Sequence, residues 1–152
     1  MDAIKELIKE TEHQLFRYPE RCARIESMKQ ELKLLEDMDF DVLTNRPGSI
    51  VRISNKKKWY GPTDPLDAFE SQIEFVKQRI EIDESKAEII RSALETIRDD
   101  TYYMAIEYRY FRRLTDDQVA QKLSIGKSTV RRHRKRLLYR VVAYLLFYRS
   151  ER

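Results

Sequence analysis

Glycine, proline, cysteine, tryptophan and histidine are all scarce in this chain, numbering 3, 4, 1, 1 and 2 among 152 residues. Gly48, Gly61 and Gly126 stand alone, so no glycine-rich loop exists to wrap a phosphate in successive backbone N–H groups. The lone Cys22 excludes an internal disulfide and points to a reducing compartment. His13 and His133 are far apart and have no second cysteine beside them, so no metal-ligand spacing is present and no cofactor is expected. The longest apolar run, Leu137 to Tyr148, is broken by Arg140 and falls short of the roughly 20 residues that cross a bilayer. No membrane partner is expected. Nor is a secretory signal, because residues 1–18 mix charged and apolar positions at helical spacing.

What is abundant is charge. Charged residues make up 37% of the chain and hydrophobic ones 41%, which with so few breakers predicts an all-α protein. The net charge is +4, but it is unevenly spread. Residues 109–152 hold 13 Lys+Arg against 3 Asp+Glu, whereas residues 1–108 hold 17 basic and 23 acidic ones. One end suits phosphates and the other repels them. The acidic residues fall on solvent faces of the expected helices, and no convergent pair marks a general acid and base. No catalytic residue is assigned, and an enzyme is not expected.

The apolar periodicity predicts an N-terminal helical hairpin and a long third helix within residues 1–100. Ile4, Leu7, Ile8, Thr11 and Leu15 form one stripe, and a break is expected at Tyr18-Pro19, since proline disfavours helical angles in the residue before it. A second helix then runs from Pro19 to about Met38 with Cys22, Ile25, Met28, Leu32 and Leu35 inward. Residues 39–64 are rich in turn formers. Ile50 to Ile53 reads there as a brief extended segment, and Lys56-Lys57-Lys58 before Trp59-Tyr60 as a basic loop. From Pro65, the positions Leu66, Phe69, Ile73, Val76, Ile80, Asp83, Ala87, Ile90, Leu94 and Ile97 keep a coiled-coil-like 3,4 spacing in which Asp83 is the lone polar member.

Residues 101–152 read as a DNA-binding domain. A helix over 101–113 is expected to turn Met104, Ala105, Tyr108 and Phe111 inward. Two short-spaced helices follow, the first from about Thr115 to Leu123 with a capping box at Thr115 and Gln118, the second from about Lys127. Gly126 supplies the freely rotating residue of the corner between them. Val119, Ala120, Leu123, Ile125, Val130 and Leu137 are placed where the two helices face each other. The outward face of the second helix carries Lys127, Ser128, Thr129, Arg131, Arg132, Lys135 and Arg136, and from Lys127 to Arg140 there is no acidic residue. Solvated helix faces usually mix signs for i,i+4 pairing, and this one does not. That pattern fits a helix-turn-helix whose second helix enters the major groove of double-stranded DNA. Arg131, Arg132 and Ser128 are expected at base edges, with Arg136 and Arg140 on phosphates. His133 occupies an aliphatic slot, either as a neutral, hydrogen-bonded imidazole or aimed at a phosphate. Beyond Leu138, the apolar face of Val141, Val142, Leu145, Leu146 and Phe147 needs a cover, and self-association as a dimer is the expected one.

The run YYMAIEYRYFRRLTDDQVAQKLSIGKSTVRRHRKRLL resembles the fourth region of bacterial sigma factors. Over residues 64–140 the chain looks like phage regulators of the ArpU and RinA kind, in which a long helix starts at a D-P pair, here Asp64-Pro65, and a sigma-like motif lies near the C-terminus. The resemblance implies a transcription regulator of phage or prophage late genes, with the recognition face on Lys127, Ser128, Arg131, Arg132 and Lys135. Ser124, where such motifs often turn with glycine, and His133 depart from the pattern. Host RNA polymerase is a further partner left open for the N-terminal half. Two other readings stand beside this one. One is a DNA-packaging component like a small terminase subunit; the other is a non-enzymatic protein-interaction module.

Overall fold

A computed structural model of the chain describes residues 2–38 and 65–151. The described residues form an all-α protein, as the composition predicts. Its helices are α1 (Asp2–Asp37), α2 (Pro65–Glu95), α3 (Tyr103–Ile106, continued as a π-helix over Glu107–Phe111), α4 (Asp116–Leu123) and α5 (Lys127–Ser150). The segments expected at 39–64, the extended Ile50–Ile53 and the basic loop ending at Trp59-Tyr60 among them, lie outside the described residues. The chain divides into two compact units, one comprising Met1–Cys22 with Ser85–Arg152 and the other Ala23–Glu84.

In the Ala23–Glu84 unit, the later part of α1 runs antiparallel to the earlier part of α2. Ile25, Val76 and Ile80 are buried, as their spacing requires. Ion pairs mark the register: Arg24 Nε to Asp83 Oδ2 at 3.1 Å, Lys29 Nζ to Glu84 Oε1 at 2.7 Å and Lys77 Nζ to Glu36 Oε1 at 3.5 Å. Asp83, the polar member of the α2 stripe, is buried and paired with Arg24. A carboxylate can sit in a helix seam when a guanidinium satisfies it, and it then fixes which residues stand opposite.

In the other unit, Leu15 of α1, Ile90, Ala93, Leu94 and Ile97 of α2, Tyr103, Ile106 and Tyr110, and Leu137, Leu138 and Val141 of α5 make one core. The break expected at Pro19 does not occur; Pro19 lies inside the 36-residue α1. An internal proline removes one backbone hydrogen bond and costs about 3 kcal/mol. Tertiary packing around it opposes that cost. Leu15 is fully buried, the Phe16 ring meets Tyr110 edge-on at 5.0 Å, and Tyr18 lies 5.5 Å from Phe111. The helix holds through the proline because its neighbours are anchored.

The 101–113 segment also differs from expectation. Only Tyr103–Ile106 is α-helical, and the following π-turn ends where the Arg112 N–H reaches the Glu107 carbonyl at 3.1 Å. Tyr103, Ala105, Ile106 and Tyr110 are buried, while Met104, Tyr108 and Phe111 are only half-buried. Tyr103, Ile106 and Tyr110 keep a 3,4 spacing, so the inward face is a different one from that of Met104, Tyr108 and Phe111.

Candidate nucleic-acid interface

Helices α4 and α5 meet through a small core of their own: Val119 and Ala120 of α4, Val130 of α5 and Ala105 of α3, flanked by Tyr108, Leu114, Leu123 and Ile125. Leu137, expected in this contact, belongs instead to the larger core. The start of α4 is capped as its sequence predicts. Gln118 N–H donates to Thr115 Oγ1 at 3.3 Å, and Thr115 N–H donates to Gln118 Oε1 at 2.9 Å. Asp116 and Asp117 fill its first turn, where the helix dipole favours carboxylates.

The corner departs from the sequence reading in one respect. Ser124, with φ 56° and ψ 42°, takes the left-handed conformation, and the Ile125 N–H closes the turn on the Ala120 carbonyl at 3.1 Å. Gly126 is extended, with φ −73° and ψ 149°, and serves as N-cap of α5. The freedom of glycine is not what the turn uses. A Cβ at Gly126 would meet only Thr129 Oγ1, at 3.8 Å.

Helix α5 carries no acidic residue from Lys127 to Ser150, and its cations sort into three sides. On one side, Lys127, Arg131 and Arg134 are tied to the first turn of α4. Lys127 Nζ lies 3.2 Å from Asp117 Oδ2, and Arg131 Nε lies 3.2 Å from Asp116 Oδ2. Arg134, mostly buried, donates Nε to Asp116 Oδ1 at 3.2 Å and Nη1 to the Tyr110 hydroxyl at 3.3 Å. Burial works against a charged Asp116, yet the adjoining Arg134 and Arg131 guanidiniums bring its carboxyl below the usual range.

On a second side, α5 faces the 96–102 segment. Arg136 grips Asp100 at two points, Nη1 to Oδ2 at 2.9 Å and Nη2 to Oδ1 at 3.0 Å, and Arg140 Nη2 donates to the Thr96 carbonyl at 2.9 Å. Both arginines were expected on phosphates; both are engaged by the chain itself. His133 stacks on Tyr102 with ring centroids 3.7 Å apart and planes 8° from parallel, and its Nδ1 accepts from Arg136 Nε at 3.3 Å. Lost hydration, then the Arg136 and Arg132 charges, lower its pKa from 6.5. The neutral, hydrogen-bonded imidazole is the form that fits.

The third side is open. Ser128, Arg132 and Lys135 are exposed and lie on one stripe by their 4,3 spacing. Arg132 and Lys135 make no ion pair with any described residue. Of the seven positions assigned from sequence, Ser128, Arg132 and Lys135 are thus unencumbered and exposed. Lys127 and Arg131 are exposed but tethered, Thr129 is half-buried, and Arg136 is turned to Asp100. Sequence reasoning missed Asp100, Tyr102, Tyr110 and Asp116. Asp116 carried a visible signal in its place in a helix first turn, and Tyr110 in its 3,4 spacing from Tyr103 and Ile106.

The described residues thus define an all-α chain that ends in a capped short helix, a three-residue corner and a long basic helix. No family model, curated protein or solved structure matches the chain.

Proposed function

We propose that the chain is a sequence-specific double-stranded DNA-binding transcription regulator that lays α5 in the major groove. The observation that carries this reading is the open stripe of Ser128, Arg132 and Lys135, cationic and unpaired on a helix without a single carboxylate. A 24-residue helix with an exposed cationic stripe in its first turns is the kind of element that a major groove admits. Arg132 and Lys135 supply counterion release on phosphates or contacts at base edges, and Arg131 supplies base contact from its tethered position. The resemblance of residues 64–140 to phage regulators of the ArpU and RinA kind supports control of phage or prophage late genes as the setting. It also supports a bacterial cytoplasm as the place.

The dimer belongs to the same proposal. Val141 and Val142 are covered by the fold, but Tyr139, Leu146 and Phe147 remain 53%, 48% and 62% exposed along α5. A second copy is the occupant proposed for them. Selection of bound duplexes from random DNA tests the reading. A defined, two-fold-symmetric site supports it, and no enrichment over the starting pool contradicts it. Light scattering on the same sample is expected to report a dimer; a ring of eight or more subunits favours a packaging role instead.

A further inference from the structure

Asp116 joins two arginines of α5 that have very different surroundings. Its Oδ2 accepts from Arg131 Nε at 3.2 Å and from Arg134 Nη2 at 3.3 Å, and its Oδ1 accepts from Arg134 Nε at 3.2 Å. Behind Arg134 stands a second layer. Arg134 Nη1 donates to the Tyr110 hydroxyl at 3.3 Å, and that hydroxyl donates to Glu12 Oε1 at 2.8 Å. The side chains of Asp116 and Arg134 are 14% and 12% exposed, that of Arg131 55%. Asp116 is therefore fixed from the inside while it holds a side chain that reaches out.

The way Arg131 is held matters. Its contact uses Nε alone, and neither Nη group has a partner among the described residues. A guanidinium reads guanine by presenting two N–H donors to O6 and N7 in one plane. An untethered arginine must give up rotamer freedom to do so, whereas one already fixed through Nε has its fork set beforehand. From this geometry we infer that Asp116 is a specificity-determining positioning residue, which orients Arg131 so that its two Nη groups meet a guanine in the major groove. The inference rests on the proposed DNA-binding function. A carboxylate so close to a duplex would ordinarily repel phosphates. Here Arg134 and Arg131 neutralise it, so the repulsion is small and the orienting effect remains.

The opposing account makes Asp116 an internal competitor that Arg131 must leave before touching DNA. The two differ in base preference: removing an orienting residue lowers it, whereas removing a competitor leaves it intact or raises it. The test measures binding of the full-length chain to its selected duplex, to duplexes changed singly at each guanine, and to mixed-sequence DNA. Wild type is expected to favour one guanine by roughly 5- to 100-fold. Asp116→Asn is expected to cut that preference several-fold while binding mixed-sequence DNA as well as or better than wild type. Arg131→Lys keeps the charge on an exposed side chain but has no fork, and it is expected to lose the same preference whether or not Asp116→Asn folds. In the double variant the two losses should not add. Discrimination unchanged in both single variants overturns the inference and leaves the DNA-binding reading standing. Tightening of Asp116→Asn with preference intact or raised also overturns it. A wild-type chain that binds no duplex removes both.

Discussion

Arg136 and Asp100 face each other as a two-point ion pair, Nη1 to Oδ2 at 2.9 Å and Nη2 to Oδ1 at 3.0 Å, joining α5 to the segment that follows α2. The pair is part-exposed, 41% and 16% at the two side chains, so solvent screens it and its contribution is about 0.5–1 kcal/mol. Arg136→Ala is expected to lower the Tm by about 1–4 °C. Its effect on duplex affinity should be smaller than that of Arg132→Ala. Calorimetry beside a titration with fluorescent duplex checks both, and a normal Tm with a strong affinity loss would put Arg136 back among the phosphate contacts.

The same pair gives an acid signature. Hydrogen bonds from Arg136 hold the Asp100 carboxyl below its usual range, against the burial that would raise it. A carboxyl depressed on folding contributes stability that is present above the unfolded value of about 3.9 and is lost as pH falls through its folded pKa. Asp116 shifts in the same direction. Thermal melts of wild type are expected to fall off below about pH 4, and Arg136→Ala should show a shallower decline there because Asp100 no longer titrates low.

His133 acts in a higher window. Its pKa is lowered in the fold, so the folded chain binds fewer protons than the unfolded one as pH drops through about 6.5. Stability is expected to be full above that value and to decline below it until the folded imidazole also takes a proton. Protonation removes the Nδ1 acceptor that Arg136 uses. His133→Gln, which cannot titrate, should flatten melts between about pH 5 and 7, and an NMR titration of the wild-type imidazole should place its midpoint below that of a solvated histidine.

The corner between α4 and α5 offers a backbone test. A serine in the left-handed region carries a steric penalty that glycine avoids, so Ser124→Gly is expected to stabilise by about 0.5–1 kcal/mol. Gly126→Ser places an oxygen at the α5 N-cap with only Thr129 Oγ1 near its Cβ, and a gain of a few tenths of a kcal/mol is expected. Denaturant titrations read both. Destabilisation by Ser124→Gly together with tolerance of a bulky residue there would contradict the assigned turn.

Local rules were readable from the residues themselves. Thr115 and Gln118 announced their capping box, and the 3,4 spacing of Ile80, Ile90, Leu94 and Ile97 announced a buried stripe, because both depend on neighbours within a turn or two. What sequence missed depends on partners far along the chain. Pro19 reads as a break until Phe16 and Tyr18 are seen against Tyr110 and Phe111. Tyr110 falls on a second stripe, with Tyr103 and Ile106, and the packing of Leu15 and Leu137 against that stripe decides which of the two faces inward. Arg136 and Arg140 read as free cations until Asp100 and the Thr96 carbonyl, 36 and 44 residues earlier, are placed beside them. A basic helix declares its charge in sequence; which of its arginines are already engaged is decided by the tertiary structure.

The salt dependence of duplex binding tests the role proposed for the open side of α5 most directly. Wild type should bind its selected duplex with an affinity that falls steeply as salt rises. Arg132→Ala combined with Lys135→Ala should lower the slope of log K against log salt by about 1 for each phosphate that the double variant no longer neutralises. Binding that is absent at low salt, or a slope the double variant leaves unchanged, would contradict the account.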